Sequence, residues 1–226
     1  MTSGLRERKK QATRQTISDI ATMMFERDGF DAVSIAQVAA EAAVAKMTVT
    51  NYFARKEDLV FDRADFVIEE LARTVAERPA GQSPLDAVRA GFLAAVHARS
   101  PLVGFARASF ARMVDGSPVL TARYREMMDL RDKRLADHLR DEFALPDSIA
   151  QFHAAQLGSV VRIVTGEARR LLIEGMSLDD LEIFLESTGG RMFDLLDGAL
   201  GDLVPPSTRD TDHARSPRVR TAPGLA

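Results

Sequence analysis

Residues 34–53, SIAQVAAEAAVAKMTVTNYF, decide the fold of the chain. Ser34 is a suitable N-cap for a helix, and Gln37 three positions later completes a capping box. The segment 42–44 is a short break, and residues 46–53 have the length of a second short helix. Two short helices joined by a three-residue turn are typical of a helix-turn-helix motif.

The segment before this motif predicts a further helix. Residues 5–27 carry apolar side chains at spacings of three and four, which places them on one face of a helix. Asp28 and Gly29 end it, because glycine accepts the left-handed conformation that often follows a helix. Any small helical bundle could show the same spacing, so this pattern alone leaves that alternative open.

The rest of the chain also predicts helices, and the fold class is therefore all-α. A linker rich in Pro and Gly at residues 79–84 separates them. The predicted segments are 56–77, 84–98, 101–114, 118–143, 146–174 and 177–203, which makes about nine helices in total. Four of these segments open on Pro, which suits the first turn of a helix. Residues 205–226 are polar and rich in Pro, which predicts a disordered tail.

The composition excludes several classes of protein. With no Cys, the chain has neither disulfides nor a cysteine-based zinc site. No apolar run is long enough to span a bilayer, and the basic start lacks the apolar region of a signal peptide. We therefore expect a soluble, cytoplasmic protein that does not associate with membranes. The histidine spacing indicates no metal site, and no catalytic or cofactor-binding fingerprint is present. The chain is accordingly not predicted to be an enzyme.

The net charge of −3 is unevenly distributed along the chain. Before Asp19, the sequence contains a single acidic residue, Glu7. The same segment carries five cationic residues: Arg6, Arg8, Lys9, Lys10 and Arg14. A basic arm on an acidic body fits a protein with one end that faces nucleic acid. A solvated basic terminus explains the same residues equally well.

Residues 13–62, TRQTISDIATMMFERDGFDAVSIAQVAAEAAVAKMTVTNYFARKEDLVFD, resemble the tetracycline-repressor (TetR) family of transcriptional regulators. The similar features are the pattern F-x-x-x-G-F-D from Phe25 to Asp31, the helix IAQVAAEAAV and the closing run TVTNYFARKEDL. Many members have Gly where Ala43 stands. The resemblance implies a helix-turn-helix DNA-binding domain at residues 1–55 and a helical effector-binding and dimerisation domain at residues 56–204. It also implies a homodimeric repressor that an unknown small molecule releases from a palindromic double-stranded DNA operator.

The resemblance places the recognition helix at Lys46–Tyr52. It implies base contacts from Lys46, Met47 and Thr50, and phosphate contacts from Ser34, Thr48, Tyr52 and Lys56. The chemistry agrees, because Lys46 can donate to guanine O6 and N7, and the methyl groups of Met47 and Thr50 could pack on a thymine methyl. Ser34 could instead serve only as a helix cap, Tyr52 could be a half-buried core ring, and Lys56 could be solvated.

The resemblance also implies a ligand cavity in the body of the protein. The candidates for its lining are Phe105, Arg107, Met127, Phe152 and Arg162. Met and Phe suit an adaptable apolar pocket, although plain core packing explains them too. A charge in an apolar helix needs a partner, so the two arginines should meet a carboxylate, solvent or an anionic ligand.

The last two long helices are implied to form the dimer interface as a four-helix bundle. Gly158 and Ser159 are small residues that would permit the helices to approach closely there. Two other functions stay open at this point: a DNA binder without an effector, and a helical enzyme or carrier whose first helices are only a bundle. Only the last of these predicts no salt-dependent affinity for DNA.

Overall fold

The computed structural model describes residues 3–200, and within them the chain forms nine α-helices and no strand. The helices are α1 (Ser3–Asp28), α2 (Ile35–Glu41), α3 (Lys46–Tyr52), α4 (Ala64–Ala76), α5 (Pro84–His97), α6 (Ala108–Gly116), α7 (Pro118–Phe143), α8 (Asp147–Ile173) and α9 (Leu178–Leu200). The predicted all-α class is confirmed. The predicted tail at residues 205–226 lies outside the described residues.

The helix predicted to start at Lys56 is interrupted. Lys56–Leu59 forms a 3₁₀ turn, in which the Asp58 carboxylate accepts a hydrogen bond from the Arg55 backbone N–H at 3.1 Å. Leu59 and Val60 are both buried in the core around the first three helices. The chain then changes direction, so that α4 begins only at Ala64.

The segment 101–114 is likewise not one helix. A 3₁₀ turn at Pro101–Val103 ends at Gly104, whose φ of +121° lies in a region that other residues rarely adopt. A Cβ at this position would stand 2.8 Å from the Cβ of Ala168 on α8. The chain therefore passes close to α8 here, and α6 begins four residues later at Ala108.

Helices α1–α3 and the turn Lys56–Leu59, together called the head, share one hydrophobic core, to which Val114 of α6 and Leu120 of α7 also belong. The most completely buried large side chains that the head contributes are Ile17, Phe25, Phe53 and Leu59. The buried hydroxyl of Ser18 ties α1 to the turn by donating to the Leu59 carbonyl at 2.8 Å. The head is thus one packed unit in which α1 supports both short helices.

Two local features shape the helix-turn-helix. The predicted capping box is confirmed: Ser34 Oγ accepts from Gln37 N at 3.3 Å, and Gln37 Oε1 accepts from Ser34 N at 2.8 Å. In the turn, Ala43 adopts a left-handed conformation with a φ of +51°. That conformation costs an alanine roughly 1 kcal/mol, which explains why glycine suits this position.

Helices α4–α9, called the body, pack around a second and larger core. At the contact between α7 and α8, a Cβ on Gly158 would lie only 2.1 Å from an Asp132 carboxylate oxygen. The buried Arg131 donates to both Asp132 Oδ1 and the Gly158 carbonyl at 2.9 Å. The expectation that Gly158 serves a dimer interface is therefore wrong, because its missing side chain makes room for α7 of the same chain.

Candidate nucleic-acid interface and internal cavity

Helix α3 has a buried side and an exposed side. Val49 and the following Phe53 are 0% and 2% exposed and fix the helix to the head core. Lys46, Met47 and Thr50 lie on the exposed side, where Met47 is 69% exposed. Lys46 forms no hydrogen bond or ion pair with any described residue. This face is therefore free to contact a macromolecule without disturbing the core.

The other predicted contact residues surround this face. They differ in how exposed they are and in whether their polar groups are already hydrogen-bonded. Ser34 is exposed, but its hydroxyl is engaged in the capping box. Thr48 and Tyr52 are half-buried, and Tyr52 packs against the head core. The Thr50 hydroxyl donates to the Met47 carbonyl at 3.1 Å, which restrains its rotation. Both the cap role of Ser34 and the core packing of Tyr52 are present.

Lys56 is turned toward the head core. Its ammonium donates to the Phe30 carbonyl and lies 4.3 Å from the centre of the Phe30 ring and 5.5 Å from that of Phe25. Partial burial lowers the pKa of Lys56. Sequence reasoning did not anticipate this orientation, because it depends on where the 3₁₀ turn places the side chain.

The basic arm is the exposed start of α1. Arg6, Lys9 and Lys10 are exposed there. Arg14 is different, since it donates to the Asp62 carbonyl and stacks on the Phe53 ring at 4.8 Å. Arg14 therefore supports the head, while the cations before it face solvent.

A cavity of about 620 Å³ lies between the head and the body. Helix α1 contributes Asp19 and Met23, whereas the body contributes helices α4–α8. The walls are mainly apolar and include several aromatic and methionine side chains, among them Phe61, Phe92, Phe105, Phe110, Met127 and Met128. Three of the residues predicted for such a lining, Phe105, Arg107 and Met127, do line it.

The other two predicted lining residues, Phe152 and Arg162, lie elsewhere. Phe152 is 55% exposed, and Arg162 forms an ion pair with Asp132 at 3.2 Å. The face of α8 that borders the cavity carries Val161 and Thr165 instead. Both predictions fail for the same reason: apolar spacing does not tell which side of a helix meets a cavity. Arg162 has the carboxylate partner that was the alternative.

Several charged residues of the cavity were missed in the sequence, among them Glu70 and Arg131. Glu70 on α4 lines the cavity and forms no hydrogen bond or ion pair with any described residue. Burial raises the pKa of the Glu70 carboxyl, and the positive charges of Arg131, Arg73 and Arg63 oppose this shift. Arg131 lines the same cavity and is 3% exposed. Helical spacing does place Glu70 beside Val67 and Leu71 on the buried side of α4, and that signal could have found it.

One ion pair connects the cavity to the head. Arg107, at the start of α6, pairs with Glu26 of α1 at 2.7 Å, and the Ser109 hydroxyl donates to the same carboxylate at 2.8 Å. Arg107 thus has the carboxylate partner that its charge requires. Arg107 therefore joins the start of α6 to α1 at the border of the cavity.

Comparison with known proteins relates the head to a family of regulators. A model of bacterial regulatory proteins of the tetR family matches residues 17–62, which cover most of the head. The head of this chain is thus similar to the tetR family. Over 172 residues the chain is 27% identical to the HTH-type transcriptional regulator TcmR of Streptomyces glaucescens. The aligned region covers 73% of this chain and 76% of TcmR. The chain is a DNA-binding transcriptional regulator.

Three solved structures have a similar fold. SmeT, solved in complex with triclosan, has a TM-score of 0.54 and 19% identity, covering 95% of this chain and all of SmeT. Salmonella enterica GusR has a TM-score of 0.50 and 16% identity over 84% of this chain and 96% of GusR. The third structure is NalD, the secondary repressor of the MexAB-OprM multidrug efflux pump in Pseudomonas aeruginosa. Its TM-score is 0.50, with 17% identity over 79% of this chain and 96% of NalD.

None of the helices described in this regulator combines the length and apolarity needed to cross a membrane.

Proposed function

We propose that the chain is a homodimeric repressor, and that a small molecule in the cavity releases it from a palindromic operator. The observation that carries this proposal is the position of the cavity, which α1 of the head lines together with α4–α8 of the body. A ligand there contacts both units, so it can favour one arrangement of the heads over another. SmeT, with its bound triclosan, and NalD, a repressor, support the proposal by analogy.

We propose that Lys46, Met47 and Thr50 contact base edges in the major groove. They are exposed together on the one face of α3 that the head core leaves free. A Lys can donate to guanine, and methyl groups pack on the methyl of thymine. This face carries the base preference of the regulator.

We propose phosphate contacts for Ser34, Thr48, Tyr52 and Lys56. Such contacts set the position of a protein on DNA without selecting the sequence. For Lys56 the contact must use a second N–H, because one already faces the Phe30 carbonyl; an ammonium has three donors. We accordingly expect Lys56 to contribute less than an exposed lysine would.

We propose that α8 and α9 form the dimer interface. Both helices expose large apolar side chains to solvent, namely Ile149, Phe152, Ile163, Ile183 and Leu195. A symmetric pairing of two α8–α9 units would cover such residues, and twofold symmetry would match the two half-sites of a palindrome. This assigns to the exposed Phe152 a place at the interface.

The interface is tested by charge substitution. Ile163→Glu should give a monomer in analytical ultracentrifugation, because a charge would be buried without a partner. Leu130→Glu is the matched control, since Leu130 is exposed on α7 and should leave the dimer intact. A dimeric Ile163→Glu variant would place the interface elsewhere.

We propose two domains, with the head ending near residue 60 rather than at residue 55. Leu59 and Val60 belong to the head core, which supports this choice. The body would extend to about residue 204. As a DNA-binding regulator, the protein would act in the cytoplasm. We also propose that it has no enzymatic activity.

Genome-wide selection of DNA fragments with the purified protein tests the function as a whole. The enriched fragments should share a palindrome, and binding should weaken steeply with salt, as phosphate contacts require. Fragments without a symmetric motif would favour a DNA binder without sequence preference. An absence of salt-dependent binding would overturn the proposal.

A further inference from the structure

Two opposite charges among those that line the cavity are not paired with each other. Glu70 on α4 and Arg131 on α7 both line it, yet no ion pair joins them. Arg131 is nevertheless the positive charge that acts most strongly on the Glu70 carboxyl. Both groups therefore border the same cavity without forming an ion pair.

Arg131 does not pair with Glu70, because its position is already fixed. Its Nε and Nη2 donate to Asp132, and Nη2 also donates to the Gly158 carbonyl. Its Nη1 has no acceptor among the described residues. Glu70 thus presents free acceptors, and Arg131 presents a free donor, at the same cavity.

The surroundings of the two charges are mainly apolar. Phe61, Phe92 and Met128 lie among the side chains that enclose the cavity. An apolar body of ring size fits such walls, and pockets of several hundred Å³ hold molecules of this kind. Polar groups in such a pocket fix the orientation of the ligand and its selectivity.

We propose that the cavity takes a neutral, ring-bearing molecule whose hydroxyl or carboxamide group donates to Glu70 and accepts from Arg131. This inference rests on the proposed function of the cavity as the effector site. A hydroxyl or amide both donates and accepts, so it satisfies the two residues at once. An anionic group would face the Glu70 carboxylate, and a cationic group would face the Arg131 guanidinium. A hydrocarbon would leave both without a partner, which is costly in an apolar site.

Four naphthalene probes of similar size test this inference. They are 1-naphthalenemethanol, 1-methylnaphthalene, 1-naphthoate and 1-naphthylmethylamine, which differ only in the polar group. Their fluorescence anisotropy can be followed during a titration with the full chain, since the protein has no Trp. We expect the alcohol to bind about tenfold more tightly than 1-methylnaphthalene, the worth of one good hydrogen bond. The anion and the cation should bind more weakly than the alcohol.

Variants of Glu70 locate the effect. Glu70→Leu should bring the affinity for the alcohol down to that for 1-methylnaphthalene, whereas Glu70→Gln should keep part of the preference because an amide still accepts. Glu69→Leu is the matched control, since Glu69 is exposed on the same helix and pairs with Arg134 outside the cavity. A cooperative thermal unfolding transition in each variant would show that the variants are folded.

The outcomes separate this inference from the proposed function. If 1-methylnaphthalene binds as tightly as the alcohol, or if either charged probe binds best, the inference is overturned while the cavity remains a ligand site. The same holds if Glu70→Leu keeps the preference for the alcohol. If none of the four probes binds, both the inference and the role of the cavity as an effector site are contradicted.

Discussion

Two charged groups without a partner, one in the head and one in the body, lie on opposite sides of their cores. In the head, Lys46 has no partner and faces outward from α3, and its neighbour Met47 is 69% exposed. In the body, Glu70 has no partner and faces inward, into a cavity. The head thus offers for binding an outer surface that is supported by local structure. The body offers an inner surface that exists only after distant helices have packed.

The largest expected effect separates the two sides of the helix-turn-helix. Phe53→Ala should lower the free energy of unfolding by about 3–5 kcal/mol, because the ring is buried between α3 and α1. Met47→Ala should leave stability unchanged, since Met47 contacts solvent. Urea denaturation measures both. If both variants lost the same free energy of unfolding, the assignment of the exposed and buried faces of α3 would be wrong.

The next-largest effect tests how closely the helices of the body pack. Gly158→Ala should destabilise the chain by about 1–3 kcal/mol, because a Cβ collides with Asp132, which two arginines hold in place. Gly166→Ala on the same helix is the control: nothing lies within 4 Å of its Cβ, so the higher helix propensity of alanine should stabilise by about 0.5–1 kcal/mol. Changes of the same sign in both variants would contradict the close approach of α7 and α8.

A smaller effect concerns the inner surface. Burial raises the pKa of Glu70, so its ionised form destabilises the folded state, and this cost appears as the pH rises through the raised pKa. Glu70→Gln should therefore stabilise the protein at pH 7–8 by about 1 kcal/mol. The gain should vanish below the ordinary pKa of a glutamic acid, where Glu70 is protonated in both states. The unfolding midpoints of the variant and the parent are compared across pH. A gain in stability that grew as the pH fell would contradict the burial of Glu70.

The smallest effect lies in the turn of the head. Ala43→Gly removes a left-handed penalty of roughly 1 kcal/mol, and the greater freedom of glycine in the unfolded chain offsets about half of it. We expect a net stabilisation of a few tenths of a kcal/mol. Ala40→Gly, on the exposed side of α2, should instead destabilise by about 1 kcal/mol. Thermal unfolding of both variants checks the contrast, which would disappear if Ala43 were not left-handed.

The head could be predicted from the sequence because its determinants are local. The Ser34–Gln37 capping box and the break before α3 each depend on residues a few positions apart. The orientation of Lys56 could not be predicted in this way. It depends on a 3₁₀ turn that brings its ammonium to Phe30, 26 residues earlier in the chain.

The body could be predicted only as a series of helices. Phe152 and Gly158 stand close together on α8, yet the first faces solvent and the second faces α7. Apolar spacing does not distinguish the two faces of a helix that is covered on several sides. Glu70 and Arg131 are far apart in sequence, so their meeting at one cavity follows from the packing of α4 on α7 and from no local pattern.

The most direct test of the account compares Lys46→Ala with Lys56→Ala on a selected operator. For each variant, the affinity for the operator is measured against copies with a single base pair changed. The account predicts that Lys46→Ala loses discrimination at one guanine position, by about 1–3 kcal/mol, while Lys56→Ala weakens binding to all sequences alike. If Lys46→Ala kept the full base preference of the parent, the exposed face of α3 would not be the surface that recognises the sequence.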